Sequence, residues 1–156
     1  VTVFFDIVQT PTGPLCAVLR DGKLVRLGWS RKPLAVEARR DRKALRPVRR
    51  AIGKYMAGGK LDRITLGPPR TTPFQARVIR VVCLIPYGKT MTYGEVARRA
   101  GSPGAARAVG QVMRHNPICL FIPCHRVVAS GGRLGGFTGG MALKRRLLDS
   151  EGLRFP

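Results

Sequence analysis

The chain has 156 residues, of which 44% are hydrophobic, so the sequence is able to bury a core and is not a disordered basic tail. With 29 Lys and Arg against 8 Asp and Glu, its formal net charge is +21. A folded protein this basic most often binds polyanions, with nucleic acid first and anionic membrane second. The alternative is a solvated charged surface that binds no polyanion.

The cysteines and the apolar stretches exclude further classes. No pair of cysteines has the C-x-x-C spacing of a typical zinc or redox site, and we predict neither a metal nor a cofactor. Arg80 interrupts the longest apolar stretch, near residues 78–85, so no segment spans a bilayer, and no signal segment opens the chain. We therefore expect a reduced, cytoplasmic protein without a membrane partner. Its cysteines are Cys16, Cys83, Cys119 and Cys124.

The N-terminal part has a strand pattern. Runs rich in β-branched and aromatic residues lie between turn signals at residues 3–8, 15–19 and 24–29. Asp21-Gly22 between the last two runs is a strong hairpin signal. Residues 30–44 are too charged to assign. We expect an antiparallel sheet here.

One helix and a linker complete this lobe. Residues 45–56 have the spacing of an amphipathic helix, and the residues 66–70, rich in Gly and Pro, are typical of a linker. The predicted fold is of the mixed α/β class, more narrowly α+β. A small N-terminal lobe, residues 1–68, precedes a mostly helical C-terminal lobe, residues 69–156.

Capping signals divide the second lobe into helices. Thr72 and Gln75 form the first capping box, and the apolar residues that follow predict a buried helical face. Thr92 and Glu95 form a second box, which begins a short helix that ends at Gly101. The apolar face of the first helix consists of Phe74, Val78, Val81 and Ile85.

A third helix follows closely. Ser102 is predicted to cap it, with Pro103 in its first turn, and it runs to about Arg114 before Asn116-Pro117 stops it. Two short helices joined by a Gly-Ser-Pro turn favour a helix-turn-helix. Many helical pairs that bind no DNA have the same pattern.

The surface of the third helix is unusually small. Arg107, Gln111 and Arg114 lie on one face at i, i+4 and i+7. A thin helix can approach a nucleic-acid groove closely, with Arg107 reaching beyond it, although small residues also suit tight packing on a neighbouring helix. The net charge favours DNA contact. The small residues are Gly104, Ala105, Ala106, Ala108 and Gly110.

A thiol, an imidazole and a guanidinium stand together on Cys124, His125 and Arg126. The flanking apolar residues predict a buried strand over residues 122–128, and adjacent positive charge favours a thiolate. Successive side chains of a strand point to opposite faces, so either the backbone bends near Pro123 or a water bridges Cys124 and His125. A Cys–His hydrolase is an alternative, although its His usually lies far along the chain.

The C-terminal segment adds a loop and a helix. Residues 135–140 form a glycine-rich loop whose backbone N–H groups can approach a ligand. Residues 141–149 predict a final helix that buries Leu143 and Leu147, and Glu151 lies at its end. Glu151 is one of only three carboxylates after residue 70.

Several motifs occur in a fixed order in this lobe: Ile85-Pro86-Tyr87-Gly88, Tyr93-Gly94-Glu95, Ala106-Arg107-Ala108-Val109-Gly110, Asn116-Pro117 and Pro123-Cys124-His125-Arg126-Val127-Val128. In this combination the chain resembles the O6-alkylguanine-DNA alkyltransferase family. The resemblance is dense over residues 72–153 and loose in the first lobe, for which it implies an RNase H-like fold.

The resemblance implies DNA repair by direct reversal. Cys124 would attack the alkyl carbon on O6 of a guanine flipped out of duplex DNA, and would keep the alkyl group irreversibly, once per molecule. O4-alkylthymine is a second candidate lesion. The alternative is a non-catalytic helix-turn-helix protein that binds lesions and whose cysteine is structural.

The family also implies roles for residues around the cysteine. His125 would act as a base through a water, Glu151 would orient His125, and Asn116 would tie the helix pair to the cysteine segment. Substrate contacts are implied for the Tyr93 hydroxyl, the Thr138 N–H, the carbonyls of Cys124 and Val127, Lys144 and Arg114.

Contacts with DNA are implied in the minor groove. Arg107 would take the place of the flipped nucleotide. The protein would bind double-stranded DNA as a monomer. Phe137 departs from the pattern, because some relatives carry a tyrosine there, and the zinc ligands that some relatives carry in the first lobe are absent. The other implied DNA contacts are Thr92, Ala105, Ala106, Gln111 and Arg126.

Overall fold

The computed structural model describes residues 1–67 and 69–155. The chain forms two compact units, and the division falls between Pro69 and Arg70. Unit 1 also contains the short segment Pro117–Cys119, which interrupts unit 2 and which the sequence did not predict. Pro68 and Pro156, the last residues of the two predicted lobes, lie outside the described residues.

Unit 1 is a sheet with one helix. The three predicted strands are confirmed as β1 (Val3–Thr10), β2 (Gly13–Arg20) and β3 (Lys23–Trp29), which pair antiparallel. A further strand, β4 (Arg39–Arg40), pairs parallel with β1, so the order is β3-β2-β1-β4. β4 was missed because it is two residues long and lies within the charged stretch. The helix α1 spans Arg46–Met56.

Local sequence explains both the hairpin and the helix of unit 1. Asp21 and Gly22 have φ values of 49° and 77°, as the tight turn between β2 and β3 requires. In α1 the buried residues recur at i, i+3, i+4 and i+7, which places them on one face. These residues are Val48, Ala51, Ile52 and Tyr55.

Unit 2 is mostly helical and carries a small parallel pairing of β5 (Met91–Thr92) with β6 (Val127–Val128). Among the described residues no helix is long and apolar enough to cross a membrane. The elements in chain order are α2 (Pro73–Cys83), β5 (Met91–Thr92), α3 (Tyr93–Arg99), α4 (Ala106–Arg114), a 3-10 helix (Cys124–Arg126), β6 (Val127–Val128) and α5 (Met141–Ser150).

Both predicted capping boxes are confirmed. The Thr72 hydroxyl accepts from the Gln75 N–H at 3.2 Å, and the Gln75 side chain accepts from the Thr72 N–H at 3.0 Å. Thr92 and Glu95 make the same reciprocal pair at the start of α3. Reciprocal caps satisfy N–H groups that would otherwise lack intrahelical partners, which sets where each helix begins.

The predicted start of α4 is wrong. Ser102 does not cap the helix, which begins at Ala106 after Ala105, without a side-chain cap. The reason is that Gly101 and Gly104 have φ values of 80° and 83°, so the chain turns twice before it becomes helical. The Ser102 carbonyl instead accepts from the Ala105 N–H at 3.1 Å.

Two buried faces also differ in detail. In α2 the buried residues are Val78 and Val82, while Phe74 and Val81 are half-buried. In α5 Leu147 is buried as predicted, but Leu143 is half-buried. The face of α5 that turns inward is formed by Lys144, Leu147 and Leu148.

Candidate active site

Cys124 lies in a tight turn and not in a strand, so the strand predicted over residues 122–128 is wrong at its centre. The Arg126 N–H donates to the Pro123 carbonyl at 2.9 Å and closes one turn of 3-10 helix, after which β6 begins at Val127. The bend near Pro123, one of the two predicted alternatives, is therefore confirmed. Cys124 is buried, with 6% of its surface exposed, and lines a cleft.

His125 is held by Glu151. The two side chains are buried, and the imidazole Nε2 lies 2.6 Å from the Glu151 Oε2. Burial lowers the pKa of His125, and this effect outweighs the hydrogen bond to Glu151, which raises it. His125 is thus a neutral imidazole at neutral pH, with its Nε2 fixed by a carboxylate.

Glu151 accepts from several donors at once. Its Oε1 accepts from the Gly88 N–H at 2.9 Å and from the Arg126 Nε at 2.8 Å, while its Oε2 accepts from an Arg126 terminal nitrogen at 3.1 Å. Burial alone would raise the pKa of Glu151, but the hydrogen bonds from His125 and Arg126 lower it to about 2. The carboxylate therefore stays ionised over the physiological range.

Arg126 is buried and committed to this network. Its guanidinium also donates to the Ile85 carbonyl at 3.0 Å and lies 5.8 Å from the centroid of the Tyr87 ring. A side chain held in this way does not present its charge to a phosphate, so the placement disagrees with the DNA contact that the resemblance implied. Arg126 is buried and bonded to Glu151, and it does not lie on the surface.

Asn116 joins two parts of unit 2 that are separated along the chain. Its side-chain amide donates to the Ile122 carbonyl at 2.8 Å, and its backbone N–H donates to the Met113 carbonyl at 3.2 Å. Residues 117–119 between them belong to unit 1. Asn116 therefore connects the end of α4 to the segment that leads to Cys124.

The cleft beside Cys124 has a volume of about 780 Å³. Its walls come from α3, from α4 and from the glycine-rich loop. Besides Cys124, five predicted site residues line it. Arg107, Gln111 and Arg114 belong to α4, Tyr93 to α3 and Thr138 to the loop. The lining residues are Tyr93, Arg107, Gly110, Gln111, Met113, Arg114, Cys124, Gly136, Phe137, Thr138, Gly140 and Met141.

Tyr93 packs against the glycine-rich loop. Its hydroxyl donates to the Gly136 carbonyl at 3.3 Å. A Cβ added at Gly135 would lie 2.7 Å from the Tyr93 ring, and the φ of 73° at Gly135 is one that other residues rarely adopt. Burial raises the pKa of Tyr93, and negative charge on Cys124 raises it further. The Tyr93 hydroxyl therefore keeps its proton at neutral pH.

Lys144 is fully buried beside Tyr93 and the glycine-rich loop. Its Nζ donates to the Val127 carbonyl at 2.6 Å and to the Gly136 carbonyl at 3.0 Å, and lies 5.7 Å from the Tyr93 ring centroid. Burial lowers its pKa to about 8, although negative charge on Cys124 opposes this shift. Lys144 thus joins the strand after the cysteine to the glycine-rich loop, a bridging role that the sequence did not predict.

The remaining predicted residues differ in placement. Arg107 and Gln111 are exposed on the cleft wall, and the Thr138 hydroxyl donates to the Arg114 carbonyl at 3.0 Å, so the loop is attached to the end of α4. Ala105 and Ala106 lie at the start of α4. Among the described residues no group of three or more His, Cys, Asp and Glu side chains could hold a metal.

Residues 73–153 match the model of the DNA-binding domain of 6-O-methylguanine DNA methyltransferases. The chain belongs to this family. A methylated-DNA--protein-cysteine methyltransferase of Methanosarcina barkeri is 37% identical over 154 residues, which cover 96% of this chain and 97% of the relative. The family is thus supported along almost the whole length.

Comparison with solved structures supports the same family. The crystal structure of the Mycobacterium tuberculosis O6-methylguanine methyltransferase has a TM-score of 0.87 at 37% identity, covering 99% of this chain and 96% of that one. Mycobacterium tuberculosis OGT in complex with DNA has the same TM-score at 36% identity, covering 100% and 96%. The predicted α/β fold class is confirmed.

The sequence did not predict that the side chains of Arg126 and Lys144 are buried. For Lys144 a signal existed, because it stands at i−3 and i−4 to the buried Leu147 and Leu148 and so shares their face. For Arg126 the local sequence holds no such signal, since its partner Glu151 lies 25 residues away.

Proposed function

We propose that this alkyltransferase-family protein repairs DNA by moving the alkyl group of O6-alkylguanine irreversibly onto Cys124. The observation that carries the proposal is a buried thiol on the wall of a cleft, next to a His–Glu pair in which the imidazole is neutral. The thiolate Sγ would form a bond to the alkyl carbon as the carbon–O6 bond breaks. That electron pair remains on the guanine, which takes up a proton.

The proton of the thiol would leave through His125. Because Glu151 holds Nε2, the other ring nitrogen, Nδ1, would take the proton through a water, and the anionic Glu151 would stabilise the imidazolium that forms. Arg126 and the Gly88 N–H would keep that carboxylate in place. We therefore assign Arg126 to positioning rather than to DNA contact.

The substrate base would lie in the cleft that Tyr93, Cys124 and Thr138 line. The Thr138 N–H would donate to O6, and the Tyr93 hydroxyl, whose raised pKa keeps it protonated, would offset charge on the departing guanine. The carbonyls of Cys124 and Val127 would accept from the exocyclic amine. Since the Val127 carbonyl already accepts from Lys144, the amine would be its second donor.

DNA would be bound through α4 in the minor groove. Arg107 and Gln111 are exposed on the cleft wall, and the small surfaces of Ala105 and Ala106 would let the helix approach closely. Arg107 would fill the space of the extruded base, while Thr92 would contact the backbone. We propose that the protein acts as a monomer, in the cytoplasm, on duplex DNA.

The Arg107→Ala variant is expected to repair duplex DNA about 10- to 100-fold more slowly, because flipping costs a few kcal/mol that the inserted side chain would help to offset. Reaction with the free nucleoside of O6-methylguanine, which needs no flipping, should keep the wild-type rate. Single-turnover kinetics on both substrates measures the two effects. Equal rates on the duplex for variant and wild type would remove Arg107 from this role.

The transfer is tested with a duplex that carries one O6-methylguanine with an isotopically labelled methyl group. Peptide mass spectrometry is expected to find the label on the Cys124 peptide, with one label per molecule and no turnover. An intact lesion that the protein nevertheless binds would favour the alternative, a non-catalytic lesion binder. Label on a different cysteine would reject the assignment of Cys124.

A further inference from the structure

Unit 1 carries a concentration of positive charge that alkyl transfer does not use. A second cleft, of about 660 Å³, opens at the start of α1. Apart from Val8 and Gly53, all of its lining residues are basic. We call this set the α1 basic cluster: Arg42, Lys43, Arg46, Arg49 and Arg50.

Within the described part of the chain, one member of the α1 basic cluster, Arg49, has a charged partner. Arg49, together with Arg40, pairs with Asp6, which is fully buried in β1. Burial would raise the pKa of Asp6, but the hydrogen bonds and charges of these arginines lower it, so the carboxylate stays ionised and compensates Arg49. This pair is part of the fold of unit 1.

The other four members are exposed, and within residues 1–67 and 69–155 none of them forms an ion pair. The nearby carboxylate of Asp41 accepts from the Ala44 N–H at 2.9 Å. Four neighbouring cations therefore line a cleft whose described lining contains no carboxylate. They are Arg42, Lys43, Arg46 and Arg50.

The position of these cations is unfavourable for the free protein. The first turn of α1 contains no acidic residue, and Arg46 begins the helix, where the helix dipole is positive. Arg46 and Arg50 are also like charges at i and i+4. Both effects destabilise α1, and a bound anion would reverse both. The cluster is therefore better suited to binding an anionic partner than to stabilising α1.

We propose that the α1 basic cluster binds the phosphate backbone of duplex DNA, independently of any lesion. Guanidinium groups match phosphate geometry, and DNA is already the partner of this family. The lining contains no aromatic side chain on which a base could stack, so the contact is sequence-independent. This surface would supply affinity for undamaged DNA in addition to the contacts of α4.

The test compares two variants with the same loss of charge. The cluster variant carries Arg42→Gln, Lys43→Gln, Arg46→Gln and Arg50→Gln and keeps Arg49. The control variant changes four other exposed cations of unit 1 that do not line the cleft: Arg31→Gln, Lys32→Gln, Lys60→Gln and Arg63→Gln. Affinity for an undamaged duplex is measured from ~0.05 to ~0.3 M salt, the range in which phosphate contacts dominate the salt dependence.

The cluster variant is expected to bind about 10- to 100-fold more weakly at ~0.1 M salt, with a salt slope reduced by ~2 to 4, since each lost phosphate contact removes about 0.9 from the slope. Its Tm should be unchanged or higher, because repulsion at the start of α1 is relieved. Its reaction with the free O6-methylguanine nucleoside should be unchanged, which separates this proposal from the proposed alkyl transfer.

Two results would overturn the proposal. One is a cluster variant whose affinity and salt slope equal those of the control variant, since the effect would then be one of net charge alone. The other is a cluster variant that binds inorganic pyrophosphate more weakly in calorimetry but keeps its DNA affinity, which would make the cleft a small-anion site.

Discussion

Cys124→Ala is expected to abolish methyl transfer completely while the affinity for a duplex with O6-methylguanine stays within about twofold. Among the described side chains that line the cleft of unit 2, the Cys124 thiol is the strongest nucleophile. The substitution deletes one heavy atom, the sulfur, and leaves His125, Glu151 and the whole of α4 in place. Transfer is measured with the labelled methyl group, and binding by fluorescence anisotropy.

A matched control is Cys83→Ala, at an exposed cysteine that does not line the cleft. It should transfer the methyl group at the wild-type rate and to the same stoichiometry. If Cys124→Ala still removed the methyl group from DNA, the acceptor would be another residue, and the mechanism proposed for this cleft would be wrong.

Glu151→Gln is expected to lower both stability and transfer rate. Loss of the carboxylate leaves the buried charge of Arg126 uncompensated, which typically costs about 3 to 5 kcal/mol. For a chain of this size, the loss corresponds to a fall in Tm of roughly 6–20 °C. The transfer rate should fall by about 10²- to 10³-fold, because His125 loses the partner that orients it. Calorimetry and single-turnover kinetics check the two effects.

The double variant Glu151→Gln/Arg126→Met serves as the control for stability. Because it removes both charges, it should recover part of the Tm lost in Glu151→Gln, yet its transfer rate should remain low. A double variant that is less stable by the sum of the two single losses would mean that Glu151 and Arg126 stabilise the fold independently.

The pH dependence of stability follows from the same carboxylate. The pKa of Glu151 is lowered from 4.5 to about 2 in the folded protein, which corresponds to about 3 kcal/mol. This contribution is fully present above about pH 4.5 and is lost as the pH falls towards 2. The difference in Tm between wild type and Glu151→Gln should therefore shrink over that range.

Local sequence determined the elements whose signals are short-range. The Asp21-Gly22 turn, the capping boxes at Thr72 and Thr92 and the amphipathic face of α1 all depend on residues within one or two turns of each other. Because these interactions join residues that are close in sequence and agree with the fold, their pattern is visible without the fold. The order of motifs around Cys124 also determined the family.

Tertiary structure decided the features that depend on distant partners. Cys124 lies in a turn, and strand pairing begins only at Val127, where β6 lies beside β5, although the local residues favour a longer strand. Arg126 is buried because Glu151, distant in sequence, compensates its charge, and Lys144 is buried because two carbonyls accept from it. A charged side chain is predicted to be exposed unless a partner is known, and only the fold brings that partner within hydrogen-bonding distance.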